Sequence, residues 1–132
     1  MEITKKELAR FVKFGLVGFL GAGVTYFFWI LLEVFLGFPD RMALVIGIEI
    51  AIISNFFINN FWTFRDRPKK ERIFLKLLKF NLVSLGGLLI NVIVYTIFRD
   101  YFEFYKYFAE VFGILGGFLW NFFINNFWTW KK

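Results

Sequence analysis

The sequence predicts an all-α integral membrane protein with four transmembrane helices, built as two parallel two-helix repeats with both termini cytoplasmic. The composition is 59% hydrophobic, with 22 phenylalanines among 132 residues. Four long apolar runs follow one another, and one nine-residue segment occurs twice. So apolar a chain of this length is typical of membrane proteins rather than of soluble domains.

The apolar runs define the predicted helices. At about 1.5 Å per residue, a run of about 20 residues crosses the ~30 Å hydrocarbon core. The first run follows a basic segment, but it is long, lacks a convincing cleavage site and has a counterpart later, so we interpret it as a retained helix rather than a signal peptide. Pro39 interrupts the chain after it. The predicted spans are residues 14–32, 42–64, 80–98 and 107–130, with a basic loop at 65–79.

The distribution of charge predicts the orientation. Thirteen of the 16 Lys and Arg residues lie in the N-terminal segment, the loop 65–79 and the C-terminal end, which the positive-inside rule places in the cytoplasm. We therefore interpret the basic residues behind the net charge of +6 as setting the topology and contacting lipid headgroups. This interpretation excludes nucleic acid as a partner.

The repeated segment indicates an internal duplication. Residues 55–63, Asn-Phe-Phe-Ile-Asn-Asn-Phe-Trp-Thr, return unchanged at 121–129, and the same offset of 66 residues relates Lys13 to Lys79. We interpret the chain as a single membrane domain over 1–132, with repeat 1 at 10–66 and repeat 2 at 76–132. Because each repeat holds two helices, both enter from the same side, which predicts a pseudo-two-fold axis along the membrane normal.

Missing residue types narrow the chemistry. The chain has no Cys and no His, which excludes thiol nucleophiles, histidine bases and the usual zinc ligand sets. We expect a protein that is not an enzyme and that uses no cofactor and no metal.

Amides in the repeated segment are the first candidate binding groups. Asn55 and Asn59 lie four apart on one face of the second helix, and Asn121 and Asn125 do the same on the fourth. They either form interhelical hydrogen bonds, worth only about 1 kcal/mol each in membranes, or line a path for a hydrophilic headgroup. The sequence leaves both interpretations open.

Two further polar positions lie near mid-bilayer. Thr25 and Asn91 are equivalent in the two repeats, and an asparagine satisfies itself on its own helix less easily than a hydroxyl does, so Asn91 is the stronger candidate for lining a path. Glu49 has no acidic counterpart, because Leu115 stands there. A carboxylate inside a span costs roughly 2.5–3.5 kcal/mol, so Glu49 either couples transport to protons or simply reaches the outer water.

Basic residues stand at the predicted cytoplasmic ends of the first and third helices. Lys13 and Lys79 are equivalent, and Arg10, Arg65 and Lys76 accompany them. They either fix topology and contact headgroups, or form a phosphate clamp beside the amides.

Small residues predict where the helices approach one another, since small side chains let backbones come close in lipid. They are Gly15, Gly18, Ala22 and Thr25 in the first helix, Gly47 and Ala51 in the second, and Gly113 and Gly117 in the fourth.

The whole chain resembles the GtrA-like family of small four-helix membrane proteins. The opening 13–18, Lys-Phe-Gly-Leu-Val-Gly, resembles that of the family, and 55–64 resembles its characteristic end of the second helix; 79–91 and 121–128 repeat both. The family often has Arg at Lys13 and Lys79, an acidic residue at Thr25, and a basic residue at Asn60 and Asn126.

The resemblance implies a multi-pass protein of the cell membrane that acts in cell-surface polysaccharide or glycolipid synthesis. The implied function is a flippase of polyprenyl-phosphate-linked sugars, with the sugar lipid, membrane lipids and a glycosyltransferase as partners. The alternative is a non-transporting adaptor that anchors a polyprenyl-phosphate glycosyltransferase, and a small proton-coupled exporter ranks third. Four short helices enclose little volume, so the headgroup path follows the surface or lies between protomers of a homo-oligomer.

Overall fold

The computed structural model describes residues 4–132, apart from the side chain of Tyr107. Residues 1–3 of the predicted domain lie outside the described part. The regular structure between residues 4 and 132 is helical throughout, with four α-helices: α1 (Lys5–Ile30), α2 (Asp40–Ile58), α3 (Ile73–Thr96) and α4 (Lys106–Ile124).

Each α-helix runs directly into a five-residue π-helical turn. In such a turn the backbone N–H donates to the carbonyl five residues earlier rather than four. The Phe64 N–H donates to the Asn59 carbonyl at 2.8 Å, and the Trp130 N–H to the Asn125 carbonyl at 2.9 Å. The four turns are Leu31–Phe35, Asn59–Thr63, Ile97–Tyr101 and Asn125–Thr129.

The prediction of four membrane-spanning helices is confirmed. The described residues contain four helices long and apolar enough to cross a membrane: Lys5–Phe35, Asp40–Thr63, Ile73–Tyr101 and Phe108–Thr129. Large apolar side chains such as Phe19 and Leu82 point outward, with 80% and 61% of their surface exposed. Lipid would cover such a surface, whereas water would not favour it.

Two helices begin earlier than predicted. α1 begins at Lys5 rather than at 14, because Thr4 and Glu7 form a capping box with both hydrogen bonds at 3.1 Å. α3 begins at Ile73, so nearly half of the predicted loop 65–79 is helical. The apolar run marks what lies in lipid, whereas the helix continues into residues such as Lys and Glu that favour helix in water.

The contacts divide the chain into two compact units, one ending at Asp66 and one beginning at Arg67. We call residues 4–66 the first hairpin and residues 67–132 the second hairpin. In the first, α1 packs on α2; in the second, α3 packs on α4. The single-domain description and the parallel relation of the repeats stay predictions.

Glycines bring the helices of each hairpin together. In the first hairpin, a methyl group at Gly47 would lie 2.8 Å from the Thr25 carbonyl oxygen, and one at Gly21 would lie 2.6 Å from Asn55 Oδ1. In the second hairpin, a methyl group at Gly113 would lie 2.8 Å from the Asn91 carbonyl oxygen. The predicted contacts at Gly47 and Gly113 are therefore confirmed.

The predicted small-residue face of the first helix is partly wrong. A methyl group at Gly18 would meet nothing within 4 Å, whereas Gly21 is buried against α2. The buried positions of α1 also include Phe14 and Val17. Their spacing of three and four residues places Gly21, and not Gly18, on the packed face.

Candidate functional site

In the first hairpin, a lysine ammonium lies beside an aromatic ring. Lys13 Nζ lies 5.3 Å from the ring centroid of Trp62, within the range of a cation–π contact. Trp62 keeps 39% of its surface exposed. Within residues 4–132 no carboxylate pairs with Lys13. The Lys13 ammonium and the Trp62 indole are therefore accessible together.

A buried ion pair lies one turn before Lys13. Arg10 Nη2 donates to Asp66 Oδ2 at 2.7 Å, and the Arg10 side chain is only 7% exposed. The guanidinium also lies 5.9 Å from the ring centroid of Phe64, and its buried Nε has no hydrogen-bond partner among residues 4–132. Asp66 thus supplies the counter-charge that a buried guanidinium needs.

The amides of the first hairpin lie at different depths. Asn59 is buried, and its Oδ1 accepts a hydrogen bond from Thr63 Oγ1 at 2.7 Å within the same helix end. Asn55, one turn further in, packs on Gly21. The hydrogen bond of Asn59 is therefore intrahelical, and not the interhelical bond that was one of the two alternatives for this residue.

In the second hairpin the equivalent lysine is paired. Lys79 Nζ donates to both carboxylate oxygens of Glu71, at 2.7 and 2.8 Å, while lying 5.3 Å from the Trp128 ring centroid. Lys131 Nζ adds a 3.4 Å contact with Glu71. The hydrogen bond from Lys79 is the main reason why the pKa of Glu71 lies below its usual value of 4.5.

The amides of the second hairpin retain unused hydrogen-bonding atoms. Asn125 Oδ1 accepts from Thr129 Oγ1 at 2.7 Å, but the buried Asn125 Nδ2 has no partner among residues 4–132. Asn121, which packs on Gly87, has a buried Oδ1 that is likewise unpartnered in the described chain. Buried polar atoms without partners are rare and costly, so a ligand or a water molecule that bonded to these two atoms would remove that cost.

The remaining predicted residues lie further along the helices. Thr25 and Asn91 sit at the glycine contacts, against Gly47 and Gly113. Lys79 and Asn91 are twelve residues apart on α3, which separates them by about 18 Å along its axis. Glu49 is exposed on its own hairpin. The predicted residues of each hairpin are thus spread along its helices rather than gathered in one pocket.

The sequence did not indicate the role of Arg67, which caps the carbonyl end of the helix that α4 and its π-helical turn form. Its Nη1 donates to the Asn126 carbonyl at 3.0 Å, its Nη2 donates to Asn126 Oδ1 at 2.7 Å, and Nη1 also bonds the Trp130 carbonyl. Arg67 is buried, with 6% exposed. Carbonyls at a helix end lack intrahelical donors, and Arg67 supplies them.

A small pocket of about 100 Å³ opens beside the first turn of α3. None of the predicted binding residues lines it; its polar walls come from Lys70, Glu71, Lys76, Thr129, Lys131 and Lys132. Lys76 is buried, with 4% exposed. The offset of 66 residues could have indicated this position, because it relates Lys76 to Arg10 and Lys132 to Asp66.

Four spanning helices in two hairpins, with amides inside and cations at the helix ends, define a multi-pass membrane protein. Residues 13–130 match the family described as GtrA/DPMS, transmembrane domain, and the chain belongs to this family. The predicted resemblance is confirmed.

A curated relative is similar over nearly the whole chain. The dolichol-phosphate mannosyltransferase of Pyrococcus furiosus is 37% identical over 125 residues, which cover 94% of this chain and 34% of the relative. The chain therefore spans about a third of the length of that relative.

Proposed function

We propose that the chain binds polyprenyl-phosphate-linked sugars and moves their headgroups across the membrane without catalysing a covalent step. The family membership and the name of the mannosyltransferase relative support this class of lipid. The observation that supports binding most directly is the unpaired ammonium of Lys13 beside the exposed indole of Trp62. A sugar phosphate carries the two matching groups, an anion and a ring.

The chemistry of the first hairpin suits such a headgroup. Lysine binds phosphate as a point charge, and the indole of Trp62 offers a flat apolar surface to a sugar ring. Deeper in the same hairpin, the amide of Asn55 can exchange hydrogen bonds with sugar hydroxyls. Hydrogen bonds from the headgroup to amides would thus replace those to water, while the polyprenyl tail stays in lipid.

The second hairpin would contribute its own amides. Asn121 Oδ1 and Asn125 Nδ2 are an acceptor and a donor without partners in the described chain. A hydroxyl-rich headgroup can satisfy both, and Asn91 would serve the same purpose nearer mid-bilayer.

Transport is tested in proteoliposomes that contain a fluorescent short-chain polyprenyl-phosphate sugar and a membrane-impermeant quencher. We expect wild-type protein to accelerate headgroup exchange, and Lys13→Met to slow it about tenfold or more, the value of one lost charge-assisted hydrogen bond. Lys6→Met, on the exposed side of the same helix, is the matched control. Exchange no faster than in empty vesicles would rule out translocation.

Proton coupling through Glu49 has a separate test in the same vesicles. If Glu49 carries the proton, Glu49→Gln abolishes the pH dependence of exchange. Unchanged rates and unchanged pH dependence would end that hypothesis and leave Glu49 a surface carboxylate.

We further propose that both termini are cytoplasmic and that the protein resides in the cell membrane, on the distribution of Lys and Arg. Because the chain has no Cys, Pro68→Cys introduces a single thiol in the connection between α2 and α3. Labelling of this thiol by an impermeant reagent is expected only after the cells are opened. Labelling from outside intact cells would reverse the orientation.

The second candidate function is a membrane adaptor for a glycosyltransferase. The relevant observation is that the matched region is 34% of a longer mannosyltransferase, so a similar membrane domain there accompanies an enzyme in one chain. The proposed contact is the basic segment 65–79, in which Lys69, Lys70 and Arg72 are exposed. Cross-linking of a glycosyltransferase to this segment, together with normal headgroup exchange in cells lacking the protein, would favour the adaptor over the flippase.

A further inference from the structure

Each hairpin has a buried cation at an equivalent position, but the second residue that accompanies it has the opposite charge in the two hairpins. In the first hairpin, buried Arg10 pairs with Asp66 at 2.7 Å. At the offset of 66 residues, the second hairpin has buried Lys76 and, in place of the aspartate, Lys132. The second hairpin therefore also has a buried cation, but a lysine stands where the first hairpin has the aspartate.

Lys76 forms no ion pair with a carboxylate in the described part of the chain. No carboxylate between residues 4 and 132 lies within 4.0 Å of its ammonium. The nearby Glu71 gives both its oxygens to Lys79 and also contacts Lys131 at 3.4 Å. A buried ammonium without a directly paired carboxylate is costly, and an external anion would lower that cost.

The helix termini differ in the same direction. The N-terminus of α1 is satisfied by its own residues Thr4 and Glu7, and Glu7 places a carboxylate in the first turn. The N-terminus of α3 has no side-chain cap and no acidic residue in its first turn. Its unpaired N–H groups and positive dipole end favour an anion.

These features converge on the pocket beside α3. It is lined by Lys76 and by three exposed lysines, with Glu71 as its one acidic residue. Its volume of about 100 Å³ admits a group of a few non-hydrogen atoms and not a whole sugar lipid. The charge of the lining selects an anion, and the number of N–H donors favours a tetrahedral oxyanion with several acceptor oxygens over a halide.

We propose that this pocket binds a phosphate group, as inorganic phosphate or as the terminal phosphate of a lipid, with the Lys76 ammonium as its central ligand. The site shares none of the residues proposed for headgroup transport. Its occupancy is an equilibrium property that needs no translocation, so its failure and the failure of the flippase proposal are separate outcomes.

The direct test measures binding of inorganic phosphate to the purified full chain in neutral detergent, by calorimetry and by thermal unfolding. We expect phosphate to raise the unfolding temperature where an equal concentration of chloride does not. Lys76→Met should weaken binding about ten- to a hundredfold, the loss of one to two decades that a charge-assisted hydrogen bond represents. Lys76→Arg should retain binding.

The decisive variant restores the arrangement of the first hairpin. Lys132→Asp gives Lys76 the partner that Arg10 has in Asp66, so it should abolish phosphate binding and raise the phosphate-free unfolding temperature. Lys6→Asp makes the same charge change at an exposed position and should leave binding unchanged. Conversely, Asp66→Lys should create a second phosphate site in the first hairpin.

The source of the phosphate is distinguished by a second arm in nanodiscs. Discs of phosphatidylcholine with phosphatidic acid present a lipid phosphomonoester, and discs with phosphatidylglycerol present the same charge as a diester. Stabilisation by phosphatidic acid that Lys132→Asp removes identifies a lipid source; stabilisation by inorganic phosphate alone identifies a soluble one. If neither phosphate nor phosphatidic acid stabilises the protein, or if Lys132→Asp and Lys6→Asp behave alike, the proposal is wrong.

Discussion

The two hairpins share their helix contacts and differ at their charged ends. Gly47 and Gly113 lie equally close to a backbone carbonyl of the neighbouring helix, since a methyl group added at either position would lie 2.8 Å from that oxygen. Yet Arg10 is paired with a carboxylate from the end of its own hairpin, whereas Lys76 is not. The shared sequence sets the packing in lipid, while the ends, which water can reach, tolerate different charges.

This difference has a physical basis. A glycine that touches a backbone carbonyl has no alternative residue, because any side chain would push the helices apart. A charged group near the membrane surface has several ways to be satisfied: a partner in the chain, water, a lipid headgroup or a dissolved anion. The two ends of the hairpins show two of these possibilities.

The shared packing should respond most strongly to substitution. Gly47→Ala and Gly113→Ala place a methyl group against backbone, so each should destabilise its hairpin by about 1–3 kcal/mol or more. Gly18→Ala is the matched control, because its methyl group would meet nothing within 4 Å. Unfolding free energies in detergent check this; a tolerated Gly47→Ala beside a damaging Gly113→Ala would show that the hairpins do not pack alike.

The charged ends should respond with opposite signs. Asp66→Asn leaves the buried guanidinium of Arg10 without its counter-charge, and we expect it to cost about 1.5–3 kcal/mol. In the second hairpin, Lys76→Met removes a cation that has no carboxylate within 4.0 Å among residues 4–132, so in phosphate-free buffer it should be neutral or stabilising. Chemical unfolding of both variants measures the difference. A large loss of stability for Lys76→Met would mean that the lysine is satisfied within the chain.

The pair of Lys79 and Glu71 gives the second hairpin a dependence on pH. The pKa of Glu71 is lowered by its hydrogen bond from Lys79, so the stabilising contribution is complete above the usual value of 4.5 and is lost as the pH falls through the lowered pKa. Unfolding temperatures recorded from neutral to acidic pH should therefore converge for wild type and Glu71→Gln at the acidic end. Parallel curves would show that Glu71 does not titrate in this way.

The smallest expected effect concerns the hydroxyls of the repeated segment. Thr63→Val and Thr129→Val each remove a 2.7 Å hydrogen bond to an asparagine, worth about 0.6–1 kcal/mol. The loss should be larger at Thr129, because Asn125 Nδ2 already lacks a partner in the described chain. Thr96→Val, which removes only an exposed bond to its own helix, is the control in the same thermal unfolding assay.

The sequence was sufficient for the four spans, because long apolar runs have few other uses. It also located the close contacts at Gly47 and Gly113, since small residues in a membrane helix mark the approach of a neighbour. It misplaced the starts of α1 and α3, because hydropathy reports where lipid ends and not where hydrogen bonding of the backbone ends. The capping pair of Thr4 and Glu7 was the available signal for α1.

The site was harder to predict. The lysines 13 and 79 look identical in the sequence, and only the fold shows that Glu71 pairs with the second of them. The cap formed by Arg67 joins residues 59 apart in the chain, which no local pattern indicates. The equivalence of Arg10 and Lys76, by contrast, could be predicted from the duplication, because aligning the two repeats at their ends places these residues at the same position.

The wide turn at Asn59–Thr63 has a consequence for the geometry of the whole hairpin. A regular helix turns about 100° per residue. The i to i+5 bond holds one additional residue in the turn, so the side chains that follow it are rotated by about that angle around the helix axis. Phe64 is fully buried and packs edge-on against Phe14, with ring centroids 6.2 Å apart. The turn acts as a one-residue spacer that aims the last aromatic ring inward instead of toward the lipid.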